Sequence, residues 1–67
     1  MKTFGERLKE LRESKNITQK QLGDYLSLRN TTISNWEQDK GEPPYETLKK
    51  LCVYFEVSAD YLLGLED

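Results

Sequence analysis

The chain has no histidine and a single cysteine, Cys52, among its 67 residues. One thiol without histidine excludes an intrachain disulfide, a Cys/His zinc site and a Cys–His or Ser–His catalytic pair. No cofactor or metal is expected, and no enzyme. Four glycines and two prolines are too few for a turn-rich all-β chain. No apolar run approaches the roughly 18 residues that signal a membrane-spanning helix. The opening Met1-Lys2-Thr3-Phe4 lacks the apolar stretch of a secretory signal. The expectation is one soluble domain over 1–67, with its core at 4–64, in a reducing cytoplasmic compartment and with no membrane partner.

Hydrophobic residues make up 36% and charged residues 33%, a balance that suits short amphipathic helices around one small core. Net charge is −2, but it is unevenly placed. All ten Lys and Arg lie in residues 1–50 beside eight acids, whereas 51–67 carry Glu56, Asp60, Glu66 and Asp67 with no cation. Any anion-facing surface belongs to the first fifty residues.

Five helices are legible. Thr3 and Glu6 have capping-box spacing, and Phe4, Leu8, Leu11 and Lys15 then share one face, with Lys15 snorkelling at its end and Asn16 as a left-handed stop. Thr18 and Gln21 form a second box before a two-turn helix with Leu22, Tyr25 and Leu26 inward. Residues 30–38 form a third helix with Ile33 and Trp36 inward. Pro43 and Pro44 precede a fourth, marked by Leu48, Leu51, Cys52 and Phe55, and Ser58 caps a fifth over 59–63, stopped by Gly64. Cys52 on that stripe reads as a small buried hydrophobe.

The second and third helices are joined by about three residues, the helix-turn-helix spacing. Such a steep crossing needs a small residue at the contact, and Gly23 supplies it despite costing about 1 kcal/mol of helix propensity. Leu28 in the turn faces back to the core.

With these blocks in place the chain resembles the Cro/CI-type (XRE-like) helix-turn-helix family of phage and bacterial repressors. The resemblance covers residues 4–64 through FGERLKELRESKNITQKQLGDYL, TTISNWE, PPYETLKKL and VSADYLLG. It implies an all-α, five-helix lambda-repressor-like bundle. It also implies a structural ion pair between Arg12, late in the first helix, and Glu37, at the end of the third. The chain departs from the family at Ser27 and Asp39, where glycine is common, and at Arg29, where a Ser or Thr cap is common. Asn30 is an alternative cap, and Gly41 a candidate to relieve the turn at Asp39.

At 100° per residue the third helix turns Asn30, Thr31, Ser34, Asn35 and Gln38 away from Ile33 and Trp36. Short amides and hydroxyls suit the donors and acceptors of the major groove, whereas a solvated helix face usually carries Lys/Glu pairs. Asn30, Thr31, Ser34 and Asn35 are therefore expected base contacts. Gln19, at a helix N-terminus whose amides and dipole favour a phosphate, is an expected backbone contact, a position the resemblance supports. Lys20, Arg29, Gln38 and Lys40 are further candidates, while Lys49 and Lys50 read at least as well as solvated side chains.

These residues point to sequence-specific double-stranded DNA binding by a transcriptional regulator, a repressor occupying an inverted-repeat operator. The alternatives are a DNA-binding antitoxin and an interaction module that keeps the fold without binding DNA. A weak homodimer is expected, because the helices consume most apolar residues. Tyr54 and Tyr61 are its candidate contacts, limited by the acids Asp60, Glu66 and Asp67, or else they cover the core edge with their hydroxyls in water.

Overall fold

The computed structural model describes residues 2–66; Met1 and Asp67, the last of the tail acids, lie outside the described residues. Thr3 opens α1 (Phe4–Ser14): its hydroxyl accepts from the Glu6 amide at 3.2 Å, and the Glu6 carboxylate accepts from the Thr3 amide at 2.9 Å. Thr18 and Gln21 repeat the device at α2 (Gln19–Leu26), with bonds of 3.0 and 2.7 Å. The Ser58 hydroxyl accepts from the Tyr61 amide to start α5 (Ala59–Leu62). Pro44 precedes α4 (Tyr45–Phe55), its preset φ of −64° already compatible with a helix entry. No strand occurs among the described residues.

α3 (Asn30–Glu37) starts differently. Arg29 is its N-cap, in extended conformation, and makes no side-chain cap bond, so Asn30 does not take over the cap but is the first helical residue. Gln38 and Leu63 close α3 and α5 as their C-caps, which makes each helix one residue shorter than its expected span.

Every helix is followed by a left-handed residue: Asn16, Ser27, Asp39, Glu56 and, at φ +80°, Gly64. Four of these are not glycine, which costs roughly 1–2 kcal/mol at Ser27 and at Glu56, whereas Asn and Asp visit this region more readily. Gly41 does not relieve the turn at Asp39, which adopts φ +57° itself. The compensation is specific, because the Asp39 carboxylate accepts from the Thr3 hydroxyl at 2.6 Å and the Gly5 amide at 3.0 Å. The α3–α4 turn thereby caps the start of α1.

All five helices feed one core. Leu8, Leu22, Leu26, Ile33, Trp36, Leu51, Phe55 and Leu62 are buried, with Phe4, Leu11, Leu28, Leu48 and Cys52 packed around them. Tyr25, expected on the inner face of α2, is 53% exposed instead. A two-turn helix wedged beside α3 buries only the narrow Leu22–Leu26 strip. Cys52 is half-buried rather than fully enclosed, and burial pushes its thiol up from its ordinary pKa. Among the described residues no helix is long and apolar enough to cross a membrane.

Candidate nucleic-acid interface

The crossing of α2 and α3 is fixed by backbone proximity. A Cβ on Gly23 would lie 2.7 Å from the Leu28 carbonyl oxygen, while the Leu28 amide donates to the Gly23 carbonyl at 2.7 Å. The atoms that need Gly23 to be small are backbone atoms of the turn, Leu28 and Arg29. Ser27 in the left-handed region turns the chain there, and half-buried Leu28 packs against the core as expected.

Gly5 plays the matching part at the other end of α3, and the sequence reading passed over it. A Cβ there would meet the carbonyl oxygens of Trp36 at 2.5 Å and Glu37 at 2.7 Å. The signal was the same as at Gly23: a glycine inside a helical pattern, where propensity alone disfavours it. α1 is thus seated directly on the C-terminal carbonyls of α3.

Buried Ile33 and Trp36 aim the opposite side of α3 outward. Asn30, Thr31, Asn35 and Gln38 are exposed on it and Ser34 is half-buried, so the five polar residues expected on this face all lie at the surface. The Gln38 amide donates to the Ser34 hydroxyl at 2.9 Å.

Behind this face Arg12 and Glu37 meet. Arg12 Nε donates to Glu37 Oε2 at 2.6 Å and Nη2 to Oε1 at 3.1 Å, with the side chains only 12% and 4% exposed. Arg12 Nη1 also donates to the Ile17 carbonyl at 2.8 Å, tying α1 to the loop before α2. The hydrogen bond to Glu37 holds the guanidinium pKa above its usual value, against the opposing effect of desolvation. Gln19 Nε2 completes the set, donating to Glu37 Oε1 at 3.1 Å. One carboxylate thus links α1, α2 and α3, and the Gln19 amide is turned toward α3.

Four of the expected phosphate-contact residues, Lys20, Arg29, Gln38 and Lys40, are exposed, and Gln19 is half-buried. Lys20 pairs with Asp24 at 3.0 Å across one helical turn, a water-exposed pair worth little. Lys49 lies above the Tyr45 ring at 5.6 Å.

The helix-turn-helix domain family matches residues 5–67. This chain belongs to that family. Among its relatives, the HTH-type transcriptional activator BcrR of Enterococcus faecalis is 45% identical over 64 residues, 96% of this chain and 31% of that protein. The HTH-type transcriptional regulator ImmR of Bacillus subtilis (strain 168) is 42% identical over 65 residues, 97% of this chain and 51% of that protein. The chain therefore spans about a third to a half of the length of these relatives. The crystal structure of the P22 c2 repressor in complex with synthetic operator 9T superposes with a TM-score of 0.90 at 35% identity, covering 98% of this chain and all of that one. The fold of this helix-turn-helix domain is the five-helix arrangement of Cro/CI-type regulators.

Two aromatic rings sit away from the α3 face. Tyr54 sits against Tyr25 at 4.4 Å and edge-on to Phe55 at 5.0 Å, with the Lys15 ammonium 5.1 Å above it. Tyr61 lies under the guanidinium of Arg7 at 4.1 Å. Both rings are half-buried and engaged with different helices of their own chain. Arg7 itself is 5% exposed, a buried charge that no helical periodicity announced. The exposed apolar side chains are others: Tyr45, Val53, Leu63 and Leu65, besides Tyr25.

Proposed function

We propose that this chain is the sequence-specific DNA-binding domain of a transcriptional regulator, a repressor that occupies an operator with α3 in the major groove. The observation that carries this reading is the outward face of α3. Its side chains are uncharged amides and hydroxyls, in a domain that superposes on a repressor bound to its operator. Asn and Gln can pair bidentately with adenine, and a threonine methyl can rest against a thymine methyl. In this reading Asn30, Thr31, Ser34 and Asn35 meet base edges. Gln19, Lys20, Arg29, Gln38 and Lys40 meet phosphates, which position the domain without carrying sequence information.

Selection of binding sites from random duplexes, followed by affinity measurements on variants, tests it. Thr31→Ala or Asn35→Ala is expected to cost about 1–3 kcal/mol at one base position and to relax preference there. Gln19→Ala is expected to weaken all sequences about equally. If every variant lowers affinity with base preference unchanged, α3 does not read bases. If the wild type retains no duplex, the fold serves protein interaction instead.

One α3 covers only a few base pairs, so useful specificity calls for two half-sites about 34–36 Å apart. Sedimentation at micromolar concentration is expected to give mostly monomer without DNA and two chains on an inverted-repeat site. A tight dimer without DNA, or one chain per site at full specificity, would refute the paired arrangement.

A further inference from the structure

The hydrogen bond between Gln38 and Ser34 has a definite polarity. Gln38 is the C-cap of α3, and its backbone amide is anchored to the carbonyls of Ser34 and Asn35 at 3.1 and 3.2 Å. Its side chain folds back one turn along the outward face, so that Nε2 donates to Ser34 Oγ at 2.9 Å. A serine hydroxyl offers one donor and two acceptor lone pairs, and an unassisted serine can therefore pair with either kind of base edge. Here one lone pair is already taken, and accepting that bond polarises the O–H into a better donor. The second lone pair stays open, so the bond favours donation by Ser34 without barring acceptance.

We propose that Gln38 is a positioning residue for DNA recognition, one that biases the Ser34 hydroxyl toward donating and thereby favours one class of base opposite it. The proposal rests on the DNA-binding reading above, but it takes Gln38 out of the phosphate-contact set and makes it part of base selection. Edges with acceptors in the major groove, guanine N7 and O6, adenine N7 and thymine O4, suit a donating hydroxyl. Cytosine, whose groove edge offers an N4 donor, is disfavoured because only the remaining lone pair can meet it.

Binding-site selection and competition with single-base variants of the selected duplex test this with the wild type and with Gln38→Met, Gln38→Glu and Ser34→Ala. Gln38→Met keeps the length of the side chain without the donor. It should leave the melting temperature unchanged and reduce the preference at one base position about three- to tenfold, the effect of one neutral hydrogen bond. Gln38→Glu supplies an acceptor in place of the donor, so Ser34 donates to the carboxylate and its oxygen faces the base as an acceptor. Preference at that position should then turn toward cytosine, while the added charge weakens all sequences alike. Ser34→Ala should erase the preference in both the wild-type and the Gln38→Glu background. A uniform loss of affinity in Gln38→Met with base preferences intact would return Gln38 to the phosphate backbone and overturn the proposal. So would a wild-type preference for cytosine at the Ser34 position. A wild type that selects no sequence at all would overturn the DNA-binding reading itself, and this proposal with it.

Discussion

Glu37→Ala is expected to cost about 3–5 kcal/mol of folding stability, the effect of leaving one member of a buried ion pair without its partner. The carboxylate is 4% exposed and receives three side-chain hydrogen bonds, two from Arg12 and one from Gln19. Its removal strands a guanidinium that is itself only 12% exposed. Small domains have total stabilities toward the low end of about 5–15 kcal/mol, so the variant should be largely unfolded at modest urea concentration. Arg12→Ala should be similarly harmful, since it also abandons the Ile17 carbonyl. The double variant should be less damaged than the two single losses added together, because no lone charge remains. It should still fall short of wild type, because Gln19 and the Ile17 carbonyl have lost their partners. Urea denaturation of the four proteins gives the coupling directly. Additive single losses would mean that the two side chains are separately solvated.

Gly5→Ala should also destabilise the domain, by about 1–3 kcal/mol or more from overpacking, although alanine is the better helix former by about 1 kcal/mol. The added methyl would sit 2.5 Å from a carbonyl oxygen of α3. Backbone cannot step aside as a flexible side chain can, so α1 must lift from its seat. Gly23→Val belongs to the same class, with the turn carbonyl of Leu28 as the obstacle. Thermal denaturation of the two variants checks both. A Gly5→Ala protein at or above the wild-type melting temperature would show that α1 does not rest on the end of α3.

The local signals were the dependable ones. Capping boxes at Thr3 and Thr18 formed because each needs only residues within one helical turn. Leu22, Ile33 and Trp36 are buried as their periodicity required. The ion pair of Arg12 and Glu37 came from family resemblance, since nothing in either residue's own neighbourhood specifies a partner 25 positions away. Gly5 and Arg7 carry no local signal of a partner either, and Asp39 reads from sequence only as a turn residue, for a related reason. Their roles arise where distant segments meet: a glycine under carbonyls, a guanidinium over a ring, a carboxylate at the start of another helix. At Gly23 the sequence said that something must come close, without saying what. The outward polar face of α3 was legible because burial of Ile33 and Trp36 leaves only one direction for it. The bond between Gln38 and Ser34 was not, since a glutamine can reach several neighbours and only its rotamer decides.

The two ends of α3 are held very differently. At its C-terminus Gly5 lies against the Trp36 and Glu37 carbonyls, Asp39 is tied to α1 and Glu37 is bound by two other helices. At its N-terminus Arg29 provides no side-chain cap, and the Thr32 amide is held by the Arg29 carbonyl at 3.1 Å instead of by a hydroxyl such as Thr3 and Thr18 give to α1 and α2. Local opening is easiest where such restraints are fewest. A cantilever is the expected consequence, clamped behind Glu37 and with the smallest opening free energy at Asn30 and Thr31, which amide hydrogen exchange would read. In the proposed DNA complex its leading residues would adjust to a base edge while the clamp fixes the angle of approach.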